Sequence, residues 1–352
     1  MKVMTILGTR PEIIRLSRVI ARLEQTSVID HVLVHTGQNY DYELNQVFFD
    51  DLNLRKPDHF LECDTSSIGH VYGDILIKSE QVMLDEQPDA VLILGDTNSA
   101  IAAIIARRLH IPVFHMEAGN RSFDWRVPEE TNRRIVDHIS DVNLVYTEHA
   151  RANLMREGLH PQRVYLTGSP MFEVLEHYRP QIEASDVLER EGLTAGEFVI
   201  VSLHREENVD NAERLGLLLE GLGKLSEQRN LDILFSTHPR TQKRLDEFGL
   251  SNAGGDRVKF SKPFGFHDYN KLQMTAACAI SDSGTISEES SMLGFPAVTP
   301  RDWIERPEAL DTGSIIMTGL EPEVVLRGVE YAIDFGAPEG IPADYQLSLI
   351  HI

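Results

Sequence analysis

Cysteine is almost absent from this sequence: Cys63 and Cys278 are the only two in 352 residues. Neither belongs to a CxxC pair, so the sequence predicts no zinc site and no disulfide framework. Long apolar runs are also missing, and without a run of about 18 apolar residues we expect no membrane span. The apolar part of the opening segment, MKVMTILGTRPE, is too short for a secretory signal. These absences are typical of a soluble cytoplasmic protein.

Positive charge is scarce as well. The chain has 33 Lys and Arg residues against 55 Asp and Glu residues, which gives a formal net charge of −22. This balance argues against nucleic acid or an anionic membrane surface as a general partner. An anionic ligand would therefore have to be bound locally, against the overall field. The hydrophobic share of 42% is that of a globular protein, and the length suffices for two domains of ordinary size.

Short apolar runs alternate with longer helix-like stretches in two successive series. The first series is 3–7, 31–35, 90–94, 113–116, 144–146 and 164–167, and the second is 198–202, 233–236, 258–260, 279–280 and 297–299. Apolar strands separated by helices are typical of a parallel sheet covered on both faces. The restart predicts an α/β chain of two doubly wound, Rossmann-like domains, residues 1–170 and 171–352.

Acidic residues stand at the ends of these apolar runs. Asp96 follows the run 90–94, Glu117 follows the run 113–116, and Glu129 opens the next helical stretch. Because ligands of such sheets lie beyond the carboxyl ends of the strands, we expect these side chains to converge on one edge. A single acid there is often only a helix cap, but three converging acids favour a functional site.

The segment 115–134, HMEAGNRSFDWRVPEETNRR, places four arginines among these acids. A solvated loop is one interpretation of this crowding. A site that holds carboxylates next to an anionic ligand is the other. We expect Arg121 and Arg126 to order the loop or contact the ligand, and Arg133 and Arg134 to pair along the helix.

Two turns between a strand and a helix have the composition of anion sites. In the first, residues 8–12, free N–H groups and Arg10 would favour an anion, and the alternative is an ordinary strand–helix turn. The second, residues 283–285, is a small-residue turn that opens a helix, without a Walker motif or a GxGxxG fingerprint. The alternative there is a capping box between Thr285 and Glu288.

Two histidines follow corresponding runs of the second series. His204 comes after the run 198–202 and His238 after the run 233–236, each close to an arginine. A lone histidine at a strand end is more often a structural hydrogen-bonding group, but two at corresponding edges favour a site.

Ten ordered motifs over nearly the whole chain resemble those of one family. They are GTRPE (8–12), TGQ (36–38), GDTNS (95–99), HMEAG (115–119), RVPEETNR (126–133), TGSP (167–170), HREEN (204–208), HPR (238–240), DSGTISEE (282–289) and ERPE (305–308). In this order they are similar to the non-hydrolysing UDP-N-acetylglucosamine 2-epimerases. The resemblance implies two Rossmann-like domains in a glycosyltransferase-B arrangement, with the active site in the interdomain cleft, and a homodimer.

The sequence departs from the common form of that family at three motifs. Gly-Thr at 284–285 replaces Gly-Gly, Asn-Tyr-Asp at 39–41 replaces a His after TGQ, and Glu206 replaces an Arg in the common HRREN. Stretches such as GTRPEIIRLSRV and TGQNYDYELN look like the branch that makes UDP-N-acetyl-L-fucosamine. That branch inverts C2 of UDP-2-acetamido-2,6-dideoxy-L-talose for capsule or O-antigen polysaccharide. The alternative is conversion of UDP-N-acetylglucosamine to UDP-N-acetylmannosamine.

The resemblance also implies a mechanism in which UDP is eliminated to a glycal-type intermediate and then added back. This chemistry needs proton-transfer groups on both faces of C2 and donors that stabilise the departing UDP, but no nicotinamide and no metal. By motif match, Asp96, Glu117 and Glu129 are the acid/base candidates, and His204 matches the family's essential histidine. The other assignments are Arg10, Ser283, Gly284 and Thr285 to the diphosphate, Glu289 to the ribose, and His238 to ligand binding.

Three other functions share parts of this pattern. A glycosyltransferase of the same architecture would keep the nucleotide site but needs an acceptor site and no C2 chemistry. A hydrolysing epimerase shares the motifs and releases free sugar, and a nucleotide-sugar sensor has no need of three acids at one edge. The resemblance further implies a C-terminal helix that crosses back to the first domain. The chain instead ends in QLSLIHI (346–352), so we expect either that this helix is missing or that the tail is not native.

Overall fold

The computed structural model describes residues 1–37, 48–337, 340–341 and 343–346, and the chain divides into two compact units. The first comprises Met1–Glu176 together with the described residues after 342, and the second spans residues 177–342. The sequence places the boundary between residues 170 and 171, at the start of the helix within which the units divide. The departure at residues 39–41 and the tail 347–352 lie outside the described residues.

Within the described residues, a parallel sheet of seven strands forms the centre of the first unit, in the order β3-β2-β1-β4-β5-β6-β7. The strands are β1 (Lys2–Leu7), β2 (Asp30–His35), β3 (His59–Phe60), β4 (Ala90–Leu94), β5 (Val113–Met116), β6 (Val142–Val145) and β7 (Val164–Leu166). The helices are α1 (Arg10–Gln25), α2 (Ile68–Glu86), α3 (Ala102–Arg108), α4 (Pro128–Ile139) and α5 (Glu148–Arg156). Short 3-10 helices occupy Asn98–Ile101, Pro161–Arg163 and Ala343–Gln346.

A second parallel sheet, of six strands among the described residues, has the order β10-β9-β8-β11-β12-β13. Its strands are β8 (Phe198–Ser202), β9 (Asp232–Ser236), β10 (Val258–Ser261), β11 (Cys278–Ser281), β12 (Ala297–Thr299) and β13 (Ile316–Met317). After α6 (Pro170–Ala184), the helices are α7 (Val187–Glu191), α8 (Glu206–Val209), α9 (Ala212–Arg229), α10 (Pro239–Phe248), α11 (Phe266–Thr275), α12 (Ile286–Leu293), α13 (Glu308–Asp311) and α14 (Pro322–Phe335). The predicted pair of doubly wound α/β domains is confirmed.

The hydrophobic pattern of each element follows from its place in these layers. Five consecutive residues of β1, from Val3 to Leu7, are buried, because helices cover a parallel sheet on both faces. Helix α9 instead buries one stripe, in which Leu215, Leu218, Leu219 and Leu222 recur at helical spacing. In the part of the chain that the structure describes, no helix has the length and apolar character needed to cross a membrane.

The strand order reverses once in each sheet, between β1 and β4 in the first and between β8 and β11 in the second. Open α/β sheets bind their ligands outside the carboxyl ends of the strands at such reversal points. The segments that leave these four strands are 8–12, 95–98, 203–205 and 282–285. Most of the predicted site residues belong to them.

Candidate active site

Asp96 and Glu117 lie at one edge of the first sheet, because they follow neighbouring strands. Strands β4 and β5 pair in parallel, with Leu94 opposite Met116. Glu117 adopts a left-handed backbone conformation (φ 61°) and is buried. A Cβ on Gly95 would lie only 3.8 Å from the Glu117 Oε2 atom. The two acids therefore come from adjacent strand ends.

A buried arginine from the first helix holds the Glu117 carboxylate. Arg15 on α1 donates from Nη1 to Glu117 Oε2 at 2.6 Å, and both side chains are about 7% exposed. Removing one member of a buried pair of this kind costs about 3–5 kcal/mol, since the other charge is left uncompensated. Arg15 is not among the residues predicted for the site, because nothing in its local sequence distinguishes it from a surface arginine.

The Asp96 carboxylate is held by a different helix. Arg133 on α4 donates to Asp96 Oδ2 from Nε at 2.9 Å and approaches it with Nη2 at 2.6 Å. The neighbouring Asn132 donates to the Asp96 backbone carbonyl at 3.0 Å. Arg133 also pairs along its own helix, with Glu130 at 3.1 Å, as the sequence predicts, but the helix is not its only partner. The contact with Asp96 reaches across to the sheet edge and fixes the carboxylate.

Two consecutive glutamates at the start of α4 have opposite surroundings. Glu129 is exposed, and its negative charge adds to the effect of burial in raising the pKa of the Tyr72 phenol, which donates to Asn132 Oδ1 at 2.6 Å. Glu130 is fully buried and accepts from the Ser122 amide and hydroxyl at 3.1 and 3.0 Å. Its carboxylate also contacts two arginines, so Glu130 fixes the loop while Glu129 faces solvent.

The other arginines of the segment 115–134 order the structure. Arg121 is buried between Asp137, at 2.7 Å, and Glu157, at 2.6 Å. Arg126 is exposed and contacts Asp124 at 2.6 Å. Arg134 lies over the Trp125 ring at 5.0 Å from the centroid. Much of the charge in this segment therefore takes part in an internal network of ion pairs, while Arg126 is exposed.

The carboxyl group of Glu12 occupies the turn after β1. Glu12 Oε2 accepts from the Gly8 amide (2.9 Å), the Thr9 amide (2.7 Å) and the Thr9 hydroxyl (2.8 Å). Burial raises the pKa of Glu12 to about 7, although these donors act in the opposite direction. The expectation of free N–H groups at this turn is wrong. Arg10 lies beside it with its guanidinium 5.2 Å from the centre of the Phe48 ring.

In the second unit, His204 is oriented by a buried aspartate. Its Nδ1 lies 2.9 Å from Asp282 Oδ1, and the amides of His204 and Arg205 also donate to the Asp282 carboxylate. Burial acts to raise the pKa of Asp282, but the charge and hydrogen bonds of His204 outweigh it and the pKa is lowered. A proton on Nδ1 leaves Nε2 as the nitrogen directed away from Asp282. In the sequence, Asp282 is recognisable only as part of the motif DSGTISEE, which does not indicate that it orients His204.

His238 packs close to His204. The ring centroids are 5.6 Å apart. His238 caps α10, and its Nδ1 accepts from the Arg240 amide at 3.2 Å. The structure therefore brings together the two histidines that the sequence places at corresponding strand ends.

The small-residue turn before α12 is not a capping box. The Thr285 side chain makes no cap hydrogen bond, and its hydroxyl lies 3.0 Å from that of Ser283. Glu288 instead lies 3.5 Å from Arg306 Nε. A Cβ on Gly284 would approach Arg306 Nη1 to 3.0 Å, so the glycine lets this guanidinium lie against the backbone.

Arginines to which the sequence assigns no ligand surround this turn. Arg205 and Arg301 lie over the Trp303 ring, at 4.8 and 4.1 Å from its centroid. Arg301 is almost fully buried and donates to Glu305 at 2.9 Å. Burial lowers the pKa of Arg301, Glu305 opposes this, and the charges of Arg205 and Arg306 lower it further. The guanidinium groups of Arg205, Arg301 and Arg306 therefore form a local concentration of positive charge in a protein of net charge −22.

Glu289, assigned to the ribose, is buried in the first half of α12 and accepts from Gln273 Nε2 at 2.8 Å. Within the residues that the structure describes, no group of three or more His, Cys, Asp or Glu side chains is arranged to hold a metal ion.

Comparison with known proteins shows the family of the chain that carries these residues. The model of the family described as UDP-N-acetylglucosamine 2-epimerase matches residues 21–345. This chain belongs to that family. Its matched relatives are named as UDP-sugar 2-epimerases, which are isomerases.

Individual relatives match almost from end to end. A structure of UDP-N-acetylglucosamine 2-epimerase from Rickettsia bellii is 47% identical with a TM-score of 0.89, covering 98% of this chain and 92% of that one. The Methanocaldococcus jannaschii UDP-GlcNAc 2-epimerase, solved in complex with UDP-GlcNAc and UDP, is 38% identical with a TM-score of 0.88, covering 98% of each chain. A UDP-2,3-diacetamido-2,3-dideoxy-D-glucuronate 2-epimerase from Pseudomonas aeruginosa is 32% identical over 95% of this chain and 92% of the relative.

Proposed function

We propose that this chain inverts C2 of a UDP-2-acetamido sugar. The observation that carries the proposal is the pair Asp96 and Glu117, which follow neighbouring strands and are each held by an arginine from a different helix. Proton transfer on two faces of one carbon requires two acid/base groups at fixed positions. A sheet edge that fixes two carboxylates independently supplies them.

The proposed reaction is an elimination of UDP followed by its addition. The C1–O bond breaks, and UDP leaves with the bonding electron pair. A carboxylate takes the C2 proton, and a C1=C2 double bond forms. In the return step a proton arrives on the other face of C2, and UDP adds to C1. The C2 hydrogen is not adjacent to a carbonyl, so the departure of UDP is what makes it acidic.

Within this scheme we assign proton transfer to Asp96, Glu117 and Glu129 of the first unit. The exposure of Glu129 and its place in the first turn of α4 suit a group that meets a ligand. The assignment is tested by Asp96→Asn, Glu117→Gln and Glu129→Gln. Each variant should lose deuterium incorporation at C2 in D2O, and wild-type incorporation in all three would contradict it.

We assign UDP to the second unit. The guanidinium groups of Arg301 and Arg306, with the turn 283–285, supply the positive charge that a diphosphate needs. The assignment of Arg10 to the diphosphate rests on the motif match alone. His204, oriented by Asp282, is suited to protonate or bind the leaving oxygen, with His238 beside it. Glu289 is assigned to the ribose. The reaction as written uses no redox cofactor.

The substrate we propose is UDP-2-acetamido-2,6-dideoxy-L-talose, which would give UDP-N-acetyl-L-fucosamine for surface polysaccharide. The motifs of the sequence support it, and the P. aeruginosa relative is named for a sugar other than N-acetylglucosamine. UDP-N-acetylglucosamine is the second candidate, because the R. bellii and M. jannaschii relatives are named for it. Parallel incubations with the two UDP-sugars, followed by NMR of the sugar ring, distinguish them.

A homodimer is also part of the proposal, and sedimentation at several protein concentrations tests it. Free UDP and free sugar as the only products would indicate the hydrolysing reaction instead. Transfer of the sugar to an added acceptor, without exchange at C2, would indicate a glycosyltransferase.

A further inference from the structure

Eight charged side chains of the first unit form a chain of contacts with alternating sign, which we call the charge ring. Its members are His115, Asp137, Arg121, Glu157, Arg134, Glu130, Arg133 and Asp96, and the successive contacts are 2.9, 2.7, 2.6, 2.9, 2.9, 3.1 and 2.6 Å. His115 Nε2 also lies 2.7 Å from the Gly95 carbonyl oxygen. The ring therefore begins and ends at consecutive residues, Gly95 and Asp96.

The surroundings of His115 determine its protonation state. The Gly95 carbonyl can only accept, so Nε2 must carry a proton. Nδ1 faces Asp137 Oδ1 at 2.9 Å, in a direction that departs from that of an ideal hydrogen bond. An unprotonated Nδ1 would turn its lone pair towards this carboxylate, which is unfavourable. Both nitrogens are therefore protonated, and His115 is an imidazolium although it is fully buried.

The sum of charges in the ring agrees with this state. The ring has four acids, Asp96, Glu130, Asp137 and Glu157, against the three arginines 121, 133 and 134. A protonated His115 makes four cations, and a neutral one leaves one excess negative charge in a network whose most exposed side chains are Arg134 (27%), Asp96 (21%) and Glu157 (19%). The pKa of His115 is raised: burial lowers it, but the hydrogen bond and charge of Asp137 and the charge of Asp96 outweigh that effect.

We propose that His115 is a positioning residue for Asp96, acting through the Gly95 carbonyl at one end of the charge ring while Arg133 holds the Asp96 side chain at the other. The proposal rests on the role of Asp96 in proton transfer given under Proposed function. Gly95 has a positive φ of 73°, a conformation that the hydrogen bond from the neighbouring strand helps to fix. Without it, the Gly95 carbonyl loses its side-chain donor, and the turn is held by the contacts of Asn132 and Arg133 with Asp96 and by the Gly95 amide.

The first test measures protonation in the whole wild-type protein, independently of activity. Two-bond 15N–1H NMR correlation spectra, with the signal assigned by its loss in His115→Gln, report both ring nitrogens. We expect imidazolium shifts throughout the range from pH 6 to pH 8, although most of this range lies above the ordinary histidine pKa of about 6.5. A neutral tautomer of His115 at pH 7 would overturn the inference.

The second test separates positioning from general destabilisation. His115→Gln should lower kcat for C2 deuterium exchange by about 10²-fold, the cost of a small misplacement of a reacting group. The KM for the UDP-sugar and the affinity for UDP should stay within about twofold, because UDP is assigned to the other unit. The matched control is His138→Gln, on the same helix as Asp137. His138 contacts Glu157 at 3.2 Å from the exposed side and should keep wild-type kcat.

A third variant gives a pH signature in the NMR shifts of His115. Asp137→Asn removes the carboxylate facing Nδ1 and leaves Asp96, at the end of β4, and Arg121, in the loop after β5, as the charged groups near His115. As the pH rises, His115 should then lose the proton on Nδ1, while Nε2 keeps its proton and still donates to the Gly95 carbonyl. The NMR shifts of Nδ1 should therefore titrate between pH 6 and pH 8 in this variant, and the kcat profile should stay parallel to that of the wild type. Imidazolium shifts at both nitrogens up to pH 8 in Asp137→Asn, or a kcat that follows the titration, would contradict the inference.

Different results would refute the proposed function and the positioning role of His115. Absence of C2 exchange by the wild type with either UDP-sugar would refute the proposed function. Normal exchange by the wild type, together with a kcat of His115→Gln within twofold of wild type, would refute only the positioning role.

Discussion

Replacing the neighbours Glu129 and Glu130 by glutamine should have different effects, one on turnover and the other on stability. Glu129 is exposed in the first turn of α4, and Glu130 is fully buried against Ser122, Arg133 and Arg134. We expect Glu129→Gln to lose turnover and retain stability. We expect Glu130→Gln to lose stability.

The magnitude for Glu130→Gln follows from its contacts. One carboxylate oxygen becomes an NH2 group, which then faces either the donors of Ser122 and Arg133 or those of Arg134. Loss of one partner from a buried ion pair costs about 3–5 kcal/mol. At roughly 2–4 °C per kcal/mol for a domain of this size, Tm should fall by about 6–20 °C.

The expectations for Glu129→Gln are different in kind. An acid in the first turn of a helix stabilises it by about 0.3–1 kcal/mol, so Tm should change by less than about 4 °C. Loss of a general acid or base should lower kcat by about 10²–10⁴-fold.

Calorimetry gives Tm, and proton NMR in D2O gives exchange at C2, for both variants and the wild type. The reasoning is refuted if Glu129→Gln exchanges at the wild-type rate. It is equally refuted if Glu130→Gln retains the wild-type Tm.

Three further variants test the other parts of the account. Gly284→Ala, whose Cβ would lie 3.0 Å from Arg306, should weaken UDP binding about tenfold by calorimetry, whereas the control Gly216→Ala meets only Leu250 at 3.6 Å and should not. The wild-type free energy of unfolding in urea should fall as the pH rises from 4.5 to about 7, because buried Glu12 keeps its proton to a higher pH than it does in the unfolded chain. An unchanged slope of this free energy against pH in Glu12→Gln would contradict the prediction. Asp282→Asn should lower kcat by disordering His204, and unchanged kcat would exclude the orienting role.

The strand ends were predictable from the sequence, because they depend on short-range pattern. Continuous apolar runs identify buried parallel strands, and residues after neighbouring strands meet at one edge. That reasoning brings Asp96 next to Glu117, and His204 next to His238. The two edge strands β3 and β13 were missed, since each has only two residues.

Partners of the site residues were not predictable, because they come from distant parts of the chain. Arg15 is 102 positions from Glu117, and Asp282 is 78 positions from His204. Asp282 stands in the motif DSGTISEE and Arg15 in the stretch GTRPEIIRLSRV, but neither pattern indicates a contact with a residue so far along the chain. Their role arises only when the fold removes the charges from water and each must find a partner.

Two segments with the same spacing show why local sequence is insufficient. Thr9 and Glu12 form a capping box, but Thr285 and Glu288 do not. The difference is that Glu288 faces Arg306, a guanidinium brought near by the fold. A long-range ion pair there replaces the short-range cap, and the Thr285 hydroxyl lies against that of Ser283 instead.

Exchange at C2 in the wild type is the most direct test of the central claim. The protein is incubated in D2O with UDP-2-acetamido-2,6-dideoxy-L-talose and, separately, with UDP-N-acetylglucosamine, without an acceptor. We predict deuterium at C2 and a C2 epimer that still carries UDP, with the talose derivative preferred. No exchange with either sugar, or release of free sugar and UDP alone, would contradict the account.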